Sequence, residues 1–351
     1  MIIRKPPALR QGDVIGLVSP SGGLAQLVPH RVVQAEKMLQ QMGFKTLIGS
    51  NALKKTGYTA GRAEERAADI NDFFANQEVK AIICFIGGFH SNQLLKYLNF
   101  ELIKQNPKVF CGFSDVSVLH FAFYTKAKIS TFYGPAALTH FGEPFGLDAY
   151  TREYFERATM HFNAIGKVSA SVEWTDEFLD WFKQADIERP RCMSKNSGYK
   201  WLRNGAAEGV AIGGCITSII HLRGTEYWPD FSGAILFWEI PESAVDPSRG
   251  EPVSRIDTYL TDLELSGVFQ QCNGMMVGRP KGYTDEDMQQ LEAVILERTR
   301  DFNMPILMNV NIGHADPIIT LPYGIRVRID SSQNLFEIIE SATVERIDQS
   351  R

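Results

Sequence analysis

A serine that closes a short apolar run and is followed at once by a helical pattern is how an α/β chain can display a nucleophile. The stretch Lys108-Val109-Phe110-Cys111-Gly112-Phe113-Ser114-Asp115 has that form. A serine hydroxyl is a poor nucleophile unless activated, and a sharp strand-to-helix corner brings it near both a base and backbone N–H donors. The corner suggests acyl transfer. The second glycine of the hydrolase elbow is missing and Asp115 stands in the third position after Gly112. The same residues therefore also read as a Ser or Asp cap on a helix that starts near Val116.

A serine nucleophile needs a base, and the base needs an orienting group. Of the seven histidines, His314 has the most suggestive context. It lies in Asn311-Ile312-Gly313-His314-Ala315-Asp316-Pro317, a loop bracketed by Gly and Pro after the apolar run from Ile306 to Val310. His120 and His221 fall inside helical patterns and read as packing residues, and His30, His90, His140 and His161 have no better setting. A loop histidine also reads as structural or solvated. For the orienting carboxylate, Glu239 ends the run Ala234-Ile235-Leu236-Phe237-Trp238-Glu239. An acid in so apolar a strand needs a partner, either a catalytic histidine or a structural cation. Two converging backbone N–H groups suffice for an oxyanion hole: Gly87-Gly88 offers one and Asp115 the other. The glycines alone fit a tight turn equally well, and neither the P-loop nor the dinucleotide spacing is present for a phosphate cradle.

The elements that carry these residues alternate. Asp13 to Val18 reads as a buried strand, Pro29 to Met42 as an amphipathic helix ended by Gly43, and Phe44 to Ile48 as a strand. Ala63 to Asn76 reads as a helix, Lys80 to Ile86 as a strand and Ser91 to Leu98 as a helix. Strands that are apolar throughout and separated by helices predict a parallel sheet covered on both faces, with chemistry at the strand C-termini. Gly87-Gly88 and Ser114 both fall at such ends. The strand pattern lapses between Tyr150 and Gly205, a polar stretch carrying Trp174, Trp181 and Trp201. The expected division is an α/β domain over residues 1–150, a linker and long loop over 151–205, and a second, mixed α/β or barrel-like domain over 206–351.

Composition narrows the function. The chain has 351 residues, 44% hydrophobic and 22% charged, with a formal charge of −5 and a pI near 5.9. It has no basic run with interleaved aromatics, so no nucleic-acid polymer is expected as a partner. Met1 to Pro7 has no apolar core of signal-peptide length, and no segment approaches membrane-spanning length; neither a membrane nor export is expected, and a cytoplasmic location is. Five cysteines (Cys84, Cys111, Cys192, Cys215 and Cys272) lack C-x-x-C spacing and mostly sit in apolar runs, so neither a disulfide framework nor a metal site nor any other cofactor is indicated.

With Ser114, Glu239 and His314 in that order, the chain resembles the serine peptidases that comprise the bacterial LD-carboxypeptidases of murein recycling and the microcin C self-immunity peptidases. The resemblance spans nearly the whole chain. Its carriers are Gly12-Asp13-Val14-Ile15-Gly16 with Ser19-Pro20-Ser21, Gly57-Tyr58-Thr59-Ala60-Gly61, and Ile86-Gly87-Gly88 with Asn92-Gln93-Leu94-Leu95. They continue in Gly112-Phe113-Ser114-Asp115, Gly213-Gly214, and Gly313-His314-Ala315-Asp316-Pro317 with Leu321-Pro322-Tyr323-Gly324. The resemblance implies a doubly wound N-terminal domain of flavodoxin-like or glutamine-amidotransferase-like type, a C-terminal domain, and a site between them. It implies Ser114 as nucleophile, His314 as general base then acid, Glu239 as its orienting partner, and the Gly88 and Asp115 amides as oxyanion hole. It also implies a metal-free mechanism, no cofactor and a homodimer.

The long segment, with Glu173-Trp174-Thr175-Asp176-Glu177 and Tyr199-Lys200-Trp201, looks like the microcin immunity branch. That branch implies a peptidyl or aminoacyl nucleotide substrate whose adenine stacks on an aromatic, with Trp174 and Trp181 as candidates and Gly87 beside the reacting group. The murein branch implies instead a muropeptide substrate that loses its terminal D-Ala, and a scaffold that binds such ligands without turnover is the reading of another class. Two departures stand out: Cys215 where the immunity branch usually has Asn after the double glycine, and Ile86 where murein carboxypeptidases often have Arg.

Overall fold

The computed structural model describes residues 2–347. Two sheets organise it. The first has six strands in the order Leu321–Tyr323, Thr131–Tyr133, Val109–Gly112, Val79–Cys84, Val14–Val18 and Lys45–Ile48. The five from the N-terminal part of the chain run parallel. In chain order they follow the sequence 2-1-3-4-5, which is the flavodoxin-like arrangement. The four innermost of these strands are almost wholly buried, as their unbroken apolar runs require when helices cover both faces. Leu321–Tyr323 comes from far along the chain and closes this sheet antiparallel, with Leu321 opposite Tyr133.

The second sheet is curled and has eight strands. Its parallel centre is Ala206–Cys215, Ile235–Glu239, Gly274–Gly278 and Ile306–Val310. Antiparallel strands flank it: Arg326–Asp330, Leu335–Ile338 and Gly166–Lys167 on one side, Lys200–Arg203 on the other. Both edges thus come from the segment 151–205, and the helix Ala149–Thr159 opens that segment, capped by the Asp148 carboxylate on the Tyr150 and Thr151 amides. Edge strands of two to four residues carry no periodic run, which is why the sequence shows only a loop there.

Other elements follow their signals closely. The helices Pro29–Gln41 and Ala63–Ala75 sit where the periodicity puts them. The run from Ser91 forms a 3₁₀ helix, Ser91–Tyr97, in place of an α-helix. Among the described residues no helix is long and apolar enough to cross a membrane. Four of the five cysteines are buried free thiols and Cys192 is exposed.

The two sheets meet through aromatic side chains, with Tyr133 packed on Phe237 at 5.3 Å and Phe237 on Tyr323 at 5.9 Å between ring centroids. The nucleophile candidate follows the strand Val109–Gly112, Glu239 ends Ile235–Glu239, and His314 follows Ile306–Val310. All three therefore stand at C-terminal ends of parallel strands, where the unpaired ends of the sheet leave room for a site.

Candidate active site

Ser114 occupies the left-handed region at φ 64°, a conformation that costs a non-glycine residue of order 1 kcal/mol or more and persists only where the surroundings impose it. The surroundings are specific. The Ser114 amide donates to the Tyr133 hydroxyl at 3.2 Å, and a 3₁₀ turn, Ser114–Val116, leads into the helix Ser117–Ala122. Neither Ser114 nor Asp115 caps that helix with its side chain. The buried Asp115 carboxylate instead accepts from the His90 and Ser91 amides at 2.9 and 2.8 Å, which ties the corner to the Gly87-Gly88 loop.

That loop approaches the corner as closely as backbone can. A Cβ placed on Gly87 would lie 2.9 Å from Ser114 Cβ, 3.0 Å from its Oγ and 3.1 Å from the Asp115 nitrogen, so only glycine fits. The Gly87-Gly88 loop and the Asp115 amide are thus neighbours at the serine.

His314 Nδ1 lies 2.7 Å from Glu239 Oε2, and the second carboxylate oxygen of Glu239 accepts from the Tyr133 hydroxyl at 2.6 Å. Glu239 is fully buried and His314 nearly so, with its ring against Phe113 at 4.9 Å. Gly313, at φ 98°, allows this approach: a Cβ there would fall 2.4 Å from Glu239 Oε2. On the other side of the imidazole, Nε2 is 4.0 Å from Glu242 Oε2, which in turn is 3.4 Å from Lys281 Nζ. Burial alone would push the His314 imidazolium down, but Glu239 and Glu242 outweigh it and hold the group above its ordinary value. Burial would likewise raise the Glu242 carboxyl, yet His314 and Lys281 keep it below the ordinary carboxylate value.

Ser114, His314, Gly87 and Gly88 line one cavity of about 520 Å³. Glu239 stands behind His314 and Asp115 beneath the corner, and neither reaches the cavity surface. Phe178, Leu179, Trp181 and Phe182 of the long segment form part of its wall. Trp181 is stacked by the Arg31 guanidinium at 4.0 Å. Trp174 does not line the cavity; the guanidinium of Arg279 covers it at 4.5 Å.

The same segment holds the loop that carries His314. Thr175 and Asp316 exchange backbone hydrogen bonds of 2.7 and 2.8 Å. The partly buried Asp316 carboxylate takes Arg191 at 2.6 Å and His140 at 2.9 Å. Burial would raise this carboxyl, and Arg191 and His140 outweigh it and hold it well below the usual range. Sequence reading gives no role to Tyr133, Glu242, Lys281, Arg191 or Asp316. Asp316 alone of these falls in the Gly313-His314-Ala315-Asp316-Pro317 stretch, and Glu242 directly follows Pro241, just past the strand that Glu239 ends. Cys215 is buried beside Glu239, its amide donating to Ser117 Oγ at 2.9 Å, so its backbone serves the corner whatever the side chain. Among the described residues no group of three or more His, Cys, Asp or Glu side chains is placed to hold a metal ion.

Ser114 thus shares one cavity with His314, which is paired with the Glu239 carboxylate, and the chain as a whole is similar to known proteins. Residues 15–134 match the LD-carboxypeptidase N-terminal domain and residues 208–329 the LD-carboxypeptidase C-terminal domain. YocD of Bacillus subtilis is 32% identical over 323 residues, 92% of this chain and 95% of its own. The microcin C7 self-immunity protein MccF of Escherichia coli is 29% identical over 347 residues, covering 97% and 98%. A solved structure of MccF in complex with aspartyl sulfamoyl adenosine superposes with a TM-score of 0.87 at 29% identity, over 97% of this chain and 100% of that one. A murein tetrapeptide carboxypeptidase of Pseudomonas aeruginosa is 26% identical over 318 residues, 88% and 91% of the two chains. The chain belongs to the LD-carboxypeptidase family of serine carboxypeptidase-type hydrolases.

Proposed function

We propose that the protein hydrolyses the carboxamide bond of peptidyl or aminoacyl nucleotides, with Ser114 as nucleophile, His314 as general base and acid, and Glu239 as the group that orients His314. The observation that carries this reading is the cavity that holds the Ser114 corner and His314 together with an indole, Trp181, stacked on Arg31. An indole so placed suits a nucleobase, because every base offers a π face. The relative solved with aspartyl sulfamoyl adenosine supports the same ligand class.

Glu239 accepts Nδ1–H of His314, which leaves the Nε2 lone pair to take the Ser114 proton as Oγ attacks the carbonyl. The Gly88 and Asp115 amides receive the oxyanion. Protonated Nε2 then gives its proton to the departing nitrogen, and water, deprotonated by the same nitrogen, releases the acid from Ser114. Gly87, where a Cβ would crowd Ser114 Oγ, leaves that space to the reacting carbonyl.

The test is to incubate the protein and its Ser114→Ala variant with aspartyl sulfamoyl adenosine and, separately, with murein tetrapeptide, and to identify products by mass spectrometry. Ser114-dependent release of aspartate and sulfamoyl adenosine is the expected result. Release of D-Ala from the tetrapeptide with no cleavage of the adenosine conjugate would transfer the activity to murein recycling. No Ser114-dependent product from either would overturn the mechanism.

A further inference from the structure

The hydroxyl of Tyr133 touches both halves of the site at once. It accepts from the Ser114 amide at 3.2 Å and donates to Glu239 Oε1 at 2.6 Å. The directions are fixed by chemistry: an amide N–H can only donate, so the phenolic oxygen accepts from Ser114 and its single proton is committed to Glu239. Tyr133 ends a strand of the first sheet and Glu239 a strand of the second, and both are buried without reaching the cavity.

We propose that Tyr133 is a positioning residue that registers the nucleophile corner against the His314–Glu239 pair across the junction of the two sheets. The inference rests on the Ser114, Glu239 and His314 reading above. Two consequences follow from the atoms involved. With Oε1 held by Tyr133 and Oε2 by His314 Nδ1, the Glu239 carboxylate has no rotational freedom left, and the imidazole is confined to the tautomer whose Nε2 lone pair faces outward. The Ser114 amide, turned to Tyr133 at the φ 64° corner, is removed from the set of oxyanion donors, so that the Asp115 amide takes that place. A corner held in a sparsely populated conformation needs such an external bond.

Tyr133→Phe removes one oxygen from a buried, well-packed ring and tests the idea directly. The variant should lose about 10- to 100-fold in kcat, the range for one hydrogen bond to a charged group, with KM within about threefold because Tyr133 does not line the cavity. The charged groups facing His314 are Glu239, Glu242 and Lys281. Of these only Glu239 is altered: deprived of the phenol, its charge is concentrated on His314, and the acid limb of the kcat/KM profile should move to higher pH. Incorporating 3-fluorotyrosine at position 133 keeps the hydroxyl and the fold while making it a stronger donor, and should move the limb the opposite way.

A lower melting temperature with kcat and the acid limb unchanged in Tyr133→Phe, or an unmoved limb in the fluorinated protein, would overturn the proposal. His314→Ala and Glu239→Gln serve as controls. If they retain wild-type kcat, the underlying triad reading fails; if they lose it and Tyr133→Phe does not, only the role of Tyr133 fails.

Discussion

The guanidinium of Arg31 lies 4.0 Å over the indole of Trp181 while its Nε donates to Asp186 Oδ2 at 2.7 Å, so a side chain of the helix Pro29–Gln41 braces the cavity wall that it helps to form. Stacking on an aromatic contributes about 1–3 kcal/mol per base. Trp181→Ala should therefore raise KM for an adenosine-bearing substrate roughly 5- to 150-fold by that range, and leave KM for an aminoacyl amide without a base almost unchanged. Trp174→Ala should move neither, since that ring does not line the cavity. Steady-state kinetics on the paired substrates decide the matter, and equal losses on both would remove Trp181 from base recognition.

The close fit of Gly87 against Ser114 gives a second expectation. A methyl group 2.9 to 3.1 Å from Ser114 Cβ, Oγ and the Asp115 nitrogen must push either the hydroxyl or the oxyanion donors out of place. The φ of Gly87 is not in the left-handed region, so Gly87→Ala carries no backbone strain of that kind. Its cost should fall on kcat, by about 100-fold or more as for a lost oxyanion donor. A melting curve within a few degrees of wild type, together with slowed labelling of Ser114 by a fluorophosphonate, would separate this from unfolding. Undiminished labelling would show that the corner tolerates the methyl group.

Much of this site is legible in the sequence, and the reason is local. Ser114, Glu239 and His314 each close an apolar run long enough to be a buried strand, and strand C-termini are where a parallel sheet gathers its chemistry. Tyr133 escapes such reading because Thr131-Phe132-Tyr133 looks like three core residues, and only the packing of the two sheets turns its hydroxyl into a bridge. Asp115 reads as a cap on the helix that follows it, but its carboxylate takes the amides of His90 and Ser91 instead, which nothing in the adjacent sequence reveals. Trp174 and Trp181 are indistinguishable in an aperiodic segment. An arginine remote in sequence covers each ring, and what separates them is the cavity, which Trp181 lines and Trp174 does not.

Glu242 sets the third expectation. The proposed mechanism needs His314 neutral, so kcat/KM should fall as pH drops through the His314 pKa, which Glu239 and Glu242 together hold above the ordinary imidazole value despite burial. Glu242→Gln removes one of the two negative charges, 4.0 Å from Nε2, and leaves Lys281 without its partner. Both changes disfavour the imidazolium, and the acid limb should move to lower pH. A limb that stays in place or moves upward would mean that another group governs it.

Stability should respond to acid through a histidine outside the site. His120 is fully buried, with Nδ1 2.8 Å from Thr131 Oγ1 and Nε2 2.9 Å from the Gly112 carbonyl. Burial pushes its pKa down from 6.5 to about 4, against a smaller opposing effect of the Gly112 carbonyl. Between those values the unfolded chain binds a proton that the folded chain refuses, so folding stability is intact above pH 6.5 and is lost as pH falls toward 4. At 1.36 kcal/mol per unit the loss is on the order of 3 kcal/mol. His120→Gln keeps a neutral side chain able to donate to Gly112 and accept from Thr131, and should flatten the stability curve in this window while lowering stability at neutral pH through imperfect packing. Urea denaturation of both proteins at half-unit steps from pH 7 to pH 4 measures the difference. If the two curves run parallel across that range, His120 is not the group whose protonation loosens the fold.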